Sequence, residues 1–324
     1  MMVDLRILII GGTGFLGANL VEYFLTEGHS VAVLARHANN LRYIQGRVTF
    51  IKCALADVSH WDELLDGYDW VFHLASESRP SDSNCVMDVK ETILPTLYFL
   101  DSCVRKKIRK VVFFSSGGTV YGSQEYTPIA EAACLNPISS YGIHKLVLEK
   151  YFSYYRYMYN LPVYILRISN PYGKFQQPFR SQGLISNILG RYYTNQVIEI
   201  WGSGEAVRDY IEIHDVMRAV GCLLSYDGSE YIFNIGSGKG YTTIEIIETV
   251  EKCLGKQLQK TQLPARKQDV SVNILDITRA ERLLHWHAEV GLEQGICKMM
   301  GLWNQEEERF VGHAVIHSVE GESL

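Results

Sequence analysis

Apolar residues in this chain come in short continuous runs, each followed by a stretch with helical spacing. Leu5-Arg6-Ile7-Leu8-Ile9-Ile10 is the first run, rich in β-branched residues as in a parallel strand buried on both faces. Ala18 to Glu27 then shows the helical period up to a stop at Gly28, and Ser30 to Leu34 returns to a strand. The alternation continues with strands at Val48 to Lys52, Trp70 to Leu74, Lys110 to Phe114 and Val163 to Ile168. Between them the spacing predicts helices at Asp57 to Leu65, Thr92 to Lys106 and Tyr141 to Phe152. Repeated βα units predict an α/β fold, a doubly wound parallel sheet with helices on both faces.

Beyond Pro171 the rhythm changes. A polar, glutamine-rich loop leads to a predicted helix at Gly183 to Tyr193 and a short strand at Val197 to Trp201. Arg208 to Ile213, helical Asp215 to Leu224 and strand Tyr231 to Ile235 read as a return to the main sheet. The expected division is therefore 1–169 plus about 208–236 in the sheet domain. Segments 170–207 and 237–324, with helices near Thr243 to Cys253 and Thr278 to Leu284, make a smaller, discontinuous α/β substrate domain. The tail after Trp303 has no clear periodicity and reads as solvated or frayed.

Composition narrows the function. The net charge of −5 gives no general attraction to nucleic acid or an anionic membrane, so a phosphate-bearing ligand must be held by local features. Leu5 to Ile10 is too short to span a bilayer and lacks the layout of a secretory signal. The seven cysteines are scattered, without Cys-x-x-Cys or nearby His-rich spacing, and read as buried thiols of a cytoplasmic protein with no metal site.

Two motifs carry chemistry. Gly11-Gly12-Thr13-Gly14-Phe15-Leu16-Gly17 joins the first strand to the first helix. Gly11 allows the turn, Gly14 the approach of a pyrophosphate to the backbone, and Gly17 close helix–sheet packing, while the helix start offers free N–H donors. Tyr141 and Lys145 lie one helical turn apart, so both heads can reach one substrate. A nearby ammonium favours the phenolate that a tyrosine base needs. With twenty tyrosines in the chain, that pair alone decides nothing.

Read with His73-Leu74-Ala75-Ser76, Ser115-Ser116-Gly117-Gly118-Thr119-Val120-Tyr121-Gly122, Arg167-Ile168-Ser169-Asn170-Pro171-Tyr172-Gly173 and Arg208-Asp209-Tyr210, the order becomes specific. Over roughly residues 5–300 the chain resembles the extended short-chain dehydrogenase/reductases, and within them the NAD-dependent epimerase/dehydratase family, UDP-glucose 4-epimerase-like enzymes best. The resemblance implies a Rossmann-type fold and a nucleotide-sugar 4-epimerase that oxidises C4 with bound NAD or NADP, Tyr141 acting as base and Lys145 also binding the nicotinamide ribose. It implies cofactor contacts from Gly11, Gly14, Phe15, Leu16, Gly17, Arg36, Leu74, Ala75, Ser115, Tyr141 and Lys145. The substrate, a nucleotide-diphosphate sugar, falls to Ser76, Thr119, Asn170, Arg208, Arg266, Asp269 and Asn273. A homodimer joined through the Thr92–Lys106 and Tyr141–Tyr157 helices is implied too.

Four departures from the family pattern matter. Gly117 stands where many relatives have a hydroxyl; strand alternation makes Thr119 the first choice for the third catalytic residue and Ser116 the second. Gly118-Thr119 replaces the Asp-Glu pair of dehydratases, which disfavours elimination. Ala35-Arg36 follows the second strand in place of an acid, leaving room for the 2′-phosphate of NADP; the alternative is an NADPH-dependent nucleotide-keto-sugar reductase. A non-catalytic dinucleotide sensor is the third reading. Asn273, at a position where a bulky tyrosine would exclude an N-acetyl group, implies that UDP-GlcNAc or UDP-GalNAc is accepted as well as UDP-Glc or UDP-Gal.

Overall fold

The computed structural model describes residues 4–44, 46, 48–76, 85–179, 183–265 and 270–305. Its strands in chain order are β1 (Arg6–Ile10), β2 (Ser30–Ala35), β3 (Val48–Lys52), β4 (Trp70–His73), β5 (Lys110–Ser116), β6 (Val163–Ile168) and β7 (Asn170–Tyr172). There follow β8 (Ile198–Trp201), β9 (Val207–Glu212), β10 (Ile232–Ile235), β11 (Gly240–Thr242), β12 (Lys260–Leu263) and β13 (Val272–Asn273). The α-helices are α1 (Phe15–Thr26), α2 (Trp61–Leu64), α3 (Cys85–Asp88), α4 (Leu94–Lys106), α5 (Ser140–Tyr159) and α6 (Leu184–Tyr193). The last four are α7 (Ile213–Leu224), α8 (Thr243–Leu254), α9 (Thr278–Leu284) and α10 (Leu292–Gln305).

Seven strands form a parallel sheet in the order β10-β6-β5-β4-β1-β2-β3. Alternation along β1 divides its side chains between two cores. Ile7 and Ile9 pack with Phe24 of α1, Val216 of α7 and Leu284 of α9, whereas Leu8 and Ile10 pack with Trp61 of α2, Phe99 of α4 and Phe152 of α5. Both faces are thus covered, which is why the strands read as unbroken apolar runs. The strand order reverses between β1 and β4, and the crevice at their carboxyl ends is where such sheets bind ligands.

A third core joins α6, α8 and α10 to Tyr172 of β7, Ile198 of β8 and Tyr210 of β9. Here the sequence expectation needs correction. The segment from Arg208 runs as β9 in a second sheet, paired with β7, β11 and β13, and only α7 and β10 return to the main sheet. Asp209 explains the seam. Its buried carboxylate accepts hydrogen bonds from Ser169 Oγ (3.3 Å), Ser237 N (2.7 Å) and Oγ (2.8 Å), Gly238 N (3.2 Å) and Leu275 N (3.3 Å), tying β9 to loops that leave both sheets.

Two further expectations fail. The helix expected over Asp57 to Leu65 is only α2, and Asp57 ends a short 3-10 turn. The cysteines are not all buried thiols: Cys253 of α8 and Cys297 of α10 form a disulfide with Cα atoms 5.7 Å apart, because these helices pack side by side. Cys85 and Cys134 are exposed, and Cys103 alone is fully buried among the free cysteines. Among the described residues, no helix is long and apolar enough to cross a membrane and no cluster could hold a metal ion.

Candidate functional site

The glycine string lies at the switch point. Gly11 leaves β1 with φ of +84°, and a β-carbon there would lie 2.8 Å from the backbone nitrogen of Ala75. A β-carbon on Gly17 would run into the carbonyl of Gly11, so α1 sits this close only because residue 17 has no side chain. Gly14 caps α1 without any side-chain hydrogen bond, and the space its β-carbon would enter is open except for Gly11 O at 3.6 Å. The N–H groups of Phe15, Leu16 and Gly17 have no partner within the helix and point, with the positive end of its dipole, into that space. This cradle fits the pyrophosphate of a dinucleotide. Leu74, Ala75 and Ser76 follow β4 and are half-buried, Ala75 directly against Gly11, while Arg36 is exposed just beyond β2.

Tyr141 owes its place to the start of α5. Ser139 caps that helix by accepting from Gly142 N at 3.1 Å, and a β-carbon on Gly142 would lie 2.9 Å from Thr119 O. The helix therefore approaches the end of β5 closely enough for Tyr141 to meet Ser116. Burial pushes the phenol up to about 12, and a hydrogen bond with the Ser116 hydroxyl pulls the other way. Lys145 follows one turn later, buried, with Nζ donating to Phe114 O at 2.8 Å and lying 5.6 Å from the Tyr141 ring centre. Burial pushes this ammonium down to about 8 against the pull of Glu149. Lys145 is buried and turns toward a carbonyl, while Tyr141 is half-buried at the edge of the cavity.

Thr119 and Ser116 exchange places relative to the sequence expectation. Strand β5 ends at Ser116, and the chain turns through residues 117–119 with Thr119 N donating to Ser116 O at 3.2 Å. Alternation does not extend past that turn. Ser116 therefore meets Tyr141, whereas the Thr119 hydroxyl is buried with no hydrogen-bond partner. Ser115 points to the opposite side, donating to Glu149 Oε1 at 2.5 Å.

A cavity of about 570 Å³ opens over these groups, bordered by Ser116, Thr119, Tyr141, Asn170, Arg208 and Tyr210. Asn170 is steadied by donating to Asp209 O at 2.8 Å, and Arg208 donates to Val207 O at 2.9 Å. Arg266 and Asp269 lie outside the described residues; Val270, which follows them, borders the cavity. Asn273 does not. It is completely buried in β13 and donates to Gly117 O at 3.2 Å, so it supports the turn at residues 117–119 and its size does not gate the cavity.

The sequence pattern of the NAD dependent epimerase/dehydratase family matches residues 7–236. The chain belongs to that family. Among its relatives, a dTDP-4-dehydro-6-deoxyglucose reductase of Escherichia coli is 33% identical over 304 residues, 91% of this chain and 96% of that protein. A UDP-glucose 4-epimerase of Thermotoga maritima, solved with UDP-glucose, is 29% identical with a TM-score of 0.88, covering 93% of this chain and 99% of its own. A Thermus thermophilus UDP-glucose 4-epimerase, solved in complex with NAD, is also 29% identical, with a TM-score of 0.84 over 92% of this chain and 98% of its own.

Within this family member, sequence reasoning left several cavity residues without a role. Tyr172 and Tyr210 stand inside quoted motifs, and strand alternation along β9 could have put Tyr210 on the face of Arg208. Glu149 was readable as a further position on the Tyr141 and Lys145 face of α5. No signal in the sequence marks Val270.

Proposed function

We propose that this protein is a nucleotide-sugar 4-epimerase acting on a UDP-hexose by reversible oxidation at C4. The convergence of Ser116, Tyr141, Asn170 and Arg208 on one cavity that also reaches Phe15 and Leu16 at the start of α1 carries the reading. When bound, the oxidised nicotinamide supplies the hydride acceptor and a positive charge beside the phenol. Tyr141 takes the O4 proton and later returns it, with Ser116 passing the proton between phenol and sugar. Lys145 supports the developing phenolate, and a site matched in this way suits general acid–base work near neutral pH. Arg208 and Asn170 bind the diphosphate and sugar, with Ser76, Thr119, Arg266 and Asp269 completing the substrate side. Segments 170–207 and 237–324, joined by β9 with Arg208, would serve as the substrate domain. Gly118-Thr119 supplies no acid/base pair for dehydration.

NADP is as well served as NAD. Ala35 closes β2 without a carboxylate for the ribose, and Arg36 is exposed just after it. Together with the E. coli reductase relative, this supports a second reading, NADPH-dependent reduction of a nucleotide keto-sugar. The exposed Leu94 and Tyr98 of α4, with Ile143, Tyr151 and Tyr154 of α5, support a homodimer. Incubation with UDP-, dTDP- and GDP-sugars without added cofactor, read by NMR, tests the epimerase, and a parallel incubation with added NADPH and a nucleotide 4-keto-sugar tests the reductase. C4 inversion in the first supports the epimerase; no inversion there, with NADPH consumed in the second, supports the reductase.

A further inference from the structure

Five of the seven cysteines are free thiols, and Cys253 and Cys297 are bridged. The bridge lies at the surface, with Cys297 exposed on α10 and Cys253 half-buried on α8. Ile246, Ile247 and Val250 of α8 share an apolar core with Ile296, Met299 and Trp303 of α10, so the two helices meet without a covalent link. Opening the bridge therefore leaves a packed interface behind. A disulfide open to solvent is accessible to an attacking thiolate, and exposed bridges are the labile kind. Sγ of Cys253 also lies 3.7 Å from Glu293 O, an acceptor for its thiol once the bridge opens. The helix fastened in this way backs the substrate side of the cavity. Tyr172, on the cavity border, donates to Leu292 O at the start of α10 at 3.4 Å, and a β-carbon on Gly295 would run into the same hydroxyl. The stretch closed by the bridge, 44 residues in sequence separation, includes Val270 on that border.

We propose that Cys253 and Cys297 form a reversible thiol–disulfide exchange site, reduced by a low-molecular-weight thiol, whose closed form fastens α10 behind Tyr172. A thiolate of the small molecule attacks the exposed Cys297 Sγ. A new S–S bond forms there as the bond to Cys253 breaks, and Cys253 Sγ leaves with the electron pair and takes a proton from water. A second thiolate then attacks the small molecule's sulfur in the mixed disulfide and releases Cys297, which is protonated in turn. Two electrons pass to the protein, and two small thiols become one small disulfide. The reverse sequence, with that disulfide as oxidant, closes the bridge.

The test equilibrates the full chain as purified in buffers of rising ratio of reduced to oxidised glutathione. Free thiols are then alkylated and located by mass spectrometry, and hydrogen exchange of the α10 amides is followed in both end states. Alkylation of Cys253 and Cys297 is expected to rise together across the series and to fall again on return to oxidised glutathione. The α10 amides should exchange about ten-fold faster in the reduced chain. Cys297→Ser should exchange at the reduced rate in every buffer, with KM for the sugar nucleotide about five-fold higher and kcat kept, as for one weakened contact at the cavity wall. A pair that is alkylated at every ratio or at none, or that opens without changing the exchange of α10, overturns the proposal. Absence of C4 inversion in the unmodified protein removes the epimerase reading instead, and alkylation and exchange still decide the role of the bridge.

Discussion

Leu275 stands over Gly117 so closely that a β-carbon at residue 117 would lie 2.5 Å from its Cδ1. Leu275 is completely buried with Val120, Tyr121 and Ile129, so it has little room to move aside. A side chain at residue 117 is directed into this small core and away from Tyr141. Gly117→Ser should therefore lower stability by about 1–3 kcal/mol through overpacking, without adding a catalytic hydroxyl. In a Leu275→Ala background the same substitution should cost less, a coupling that urea denaturation of the four proteins measures. Additive losses would mean that the two residues do not press on each other.

Ser116 and Thr119 differ in kind, and their alanine variants should differ in kinetics. Ser116→Ala removes a hydroxyl that borders the cavity with the phenol and is expected to lower kcat about 100-fold with little change in KM. Thr119→Ala removes a buried hydroxyl that has no partner in the protein, so its expected effect is on KM, about five-fold, as for one lost hydrogen bond to substrate. Full activity in both would leave Tyr141 and Lys145 without a third member.

His73 ties stability to pH. It is fully buried, and Thr96 Oγ1, which donates to Thr92 O at 2.6 Å, is left to accept from His73 Nε2 at 3.0 Å. This arrangement selects the Nε2–H tautomer of the neutral ring. Burial, then the Lys145 charge, pushes its pKa down to about 3. A base depressed in the fold contributes stability above its unfolded pKa, near 6.5, and that contribution is lost as pH falls because the unfolded chain alone takes the proton. Unfolding free energy should thus drop by about 2 kcal/mol from this residue between pH 7 and pH 5. Denaturant titration at both pH values should show a smaller drop for His73→Gln than for the unmodified chain. Equal drops would mean that His73 ionises freely within the fold.

What the sequence made legible was local. The apolar run Leu5 to Ile10, the glycines after it and the four-residue spacing of Tyr141 and Lys145 follow from chain geometry over a few residues. Most of the departures are decided by partners distant in the chain. Strand β9 looks like a strand of the main sheet, but its place is fixed by β7, β11 and β13 and by the loops that Asp209 gathers. Cys253 and Cys297, separated by 44 residues, meet only because α8 and α10 pack together. Asn273 shows the limit of positional matching: its place beside the site is readable, whereas its direction toward Gly117 O depends on β13 pairing with β9. At Thr119 the error came from extending alternation three residues past the end of β5.

At the other end of β5, roughly 20 Å from Ser116 at the usual rise per residue, Lys110 closes a helix. Its Nζ donates to Leu223 O (3.2 Å), Leu224 O (3.3 Å) and Tyr226 O (2.6 Å), carbonyls at and just past the end of α7, of which Leu223 O also accepts from Tyr226 N at 3.2 Å. The same ammonium lies 4.5 Å from the centre of the Trp70 ring and 5.1 Å from that of Tyr164. Three carbonyls at the end of a helix and two aromatic faces favour the cation, while its partial burial works against it and lowers its pKa. Lys110→Met keeps the aliphatic stem and removes the charge, so the expected loss is about 2 kcal/mol. Lys110→Arg should recover part of it, because a planar guanidinium reaches some of the carbonyls but cannot point at all three. Chemical denaturation reads both values, and kcat should stay unchanged in both because the cavity lies at the opposite end of the strand. A loss of activity at full stability would show that the end of α7 communicates with the site.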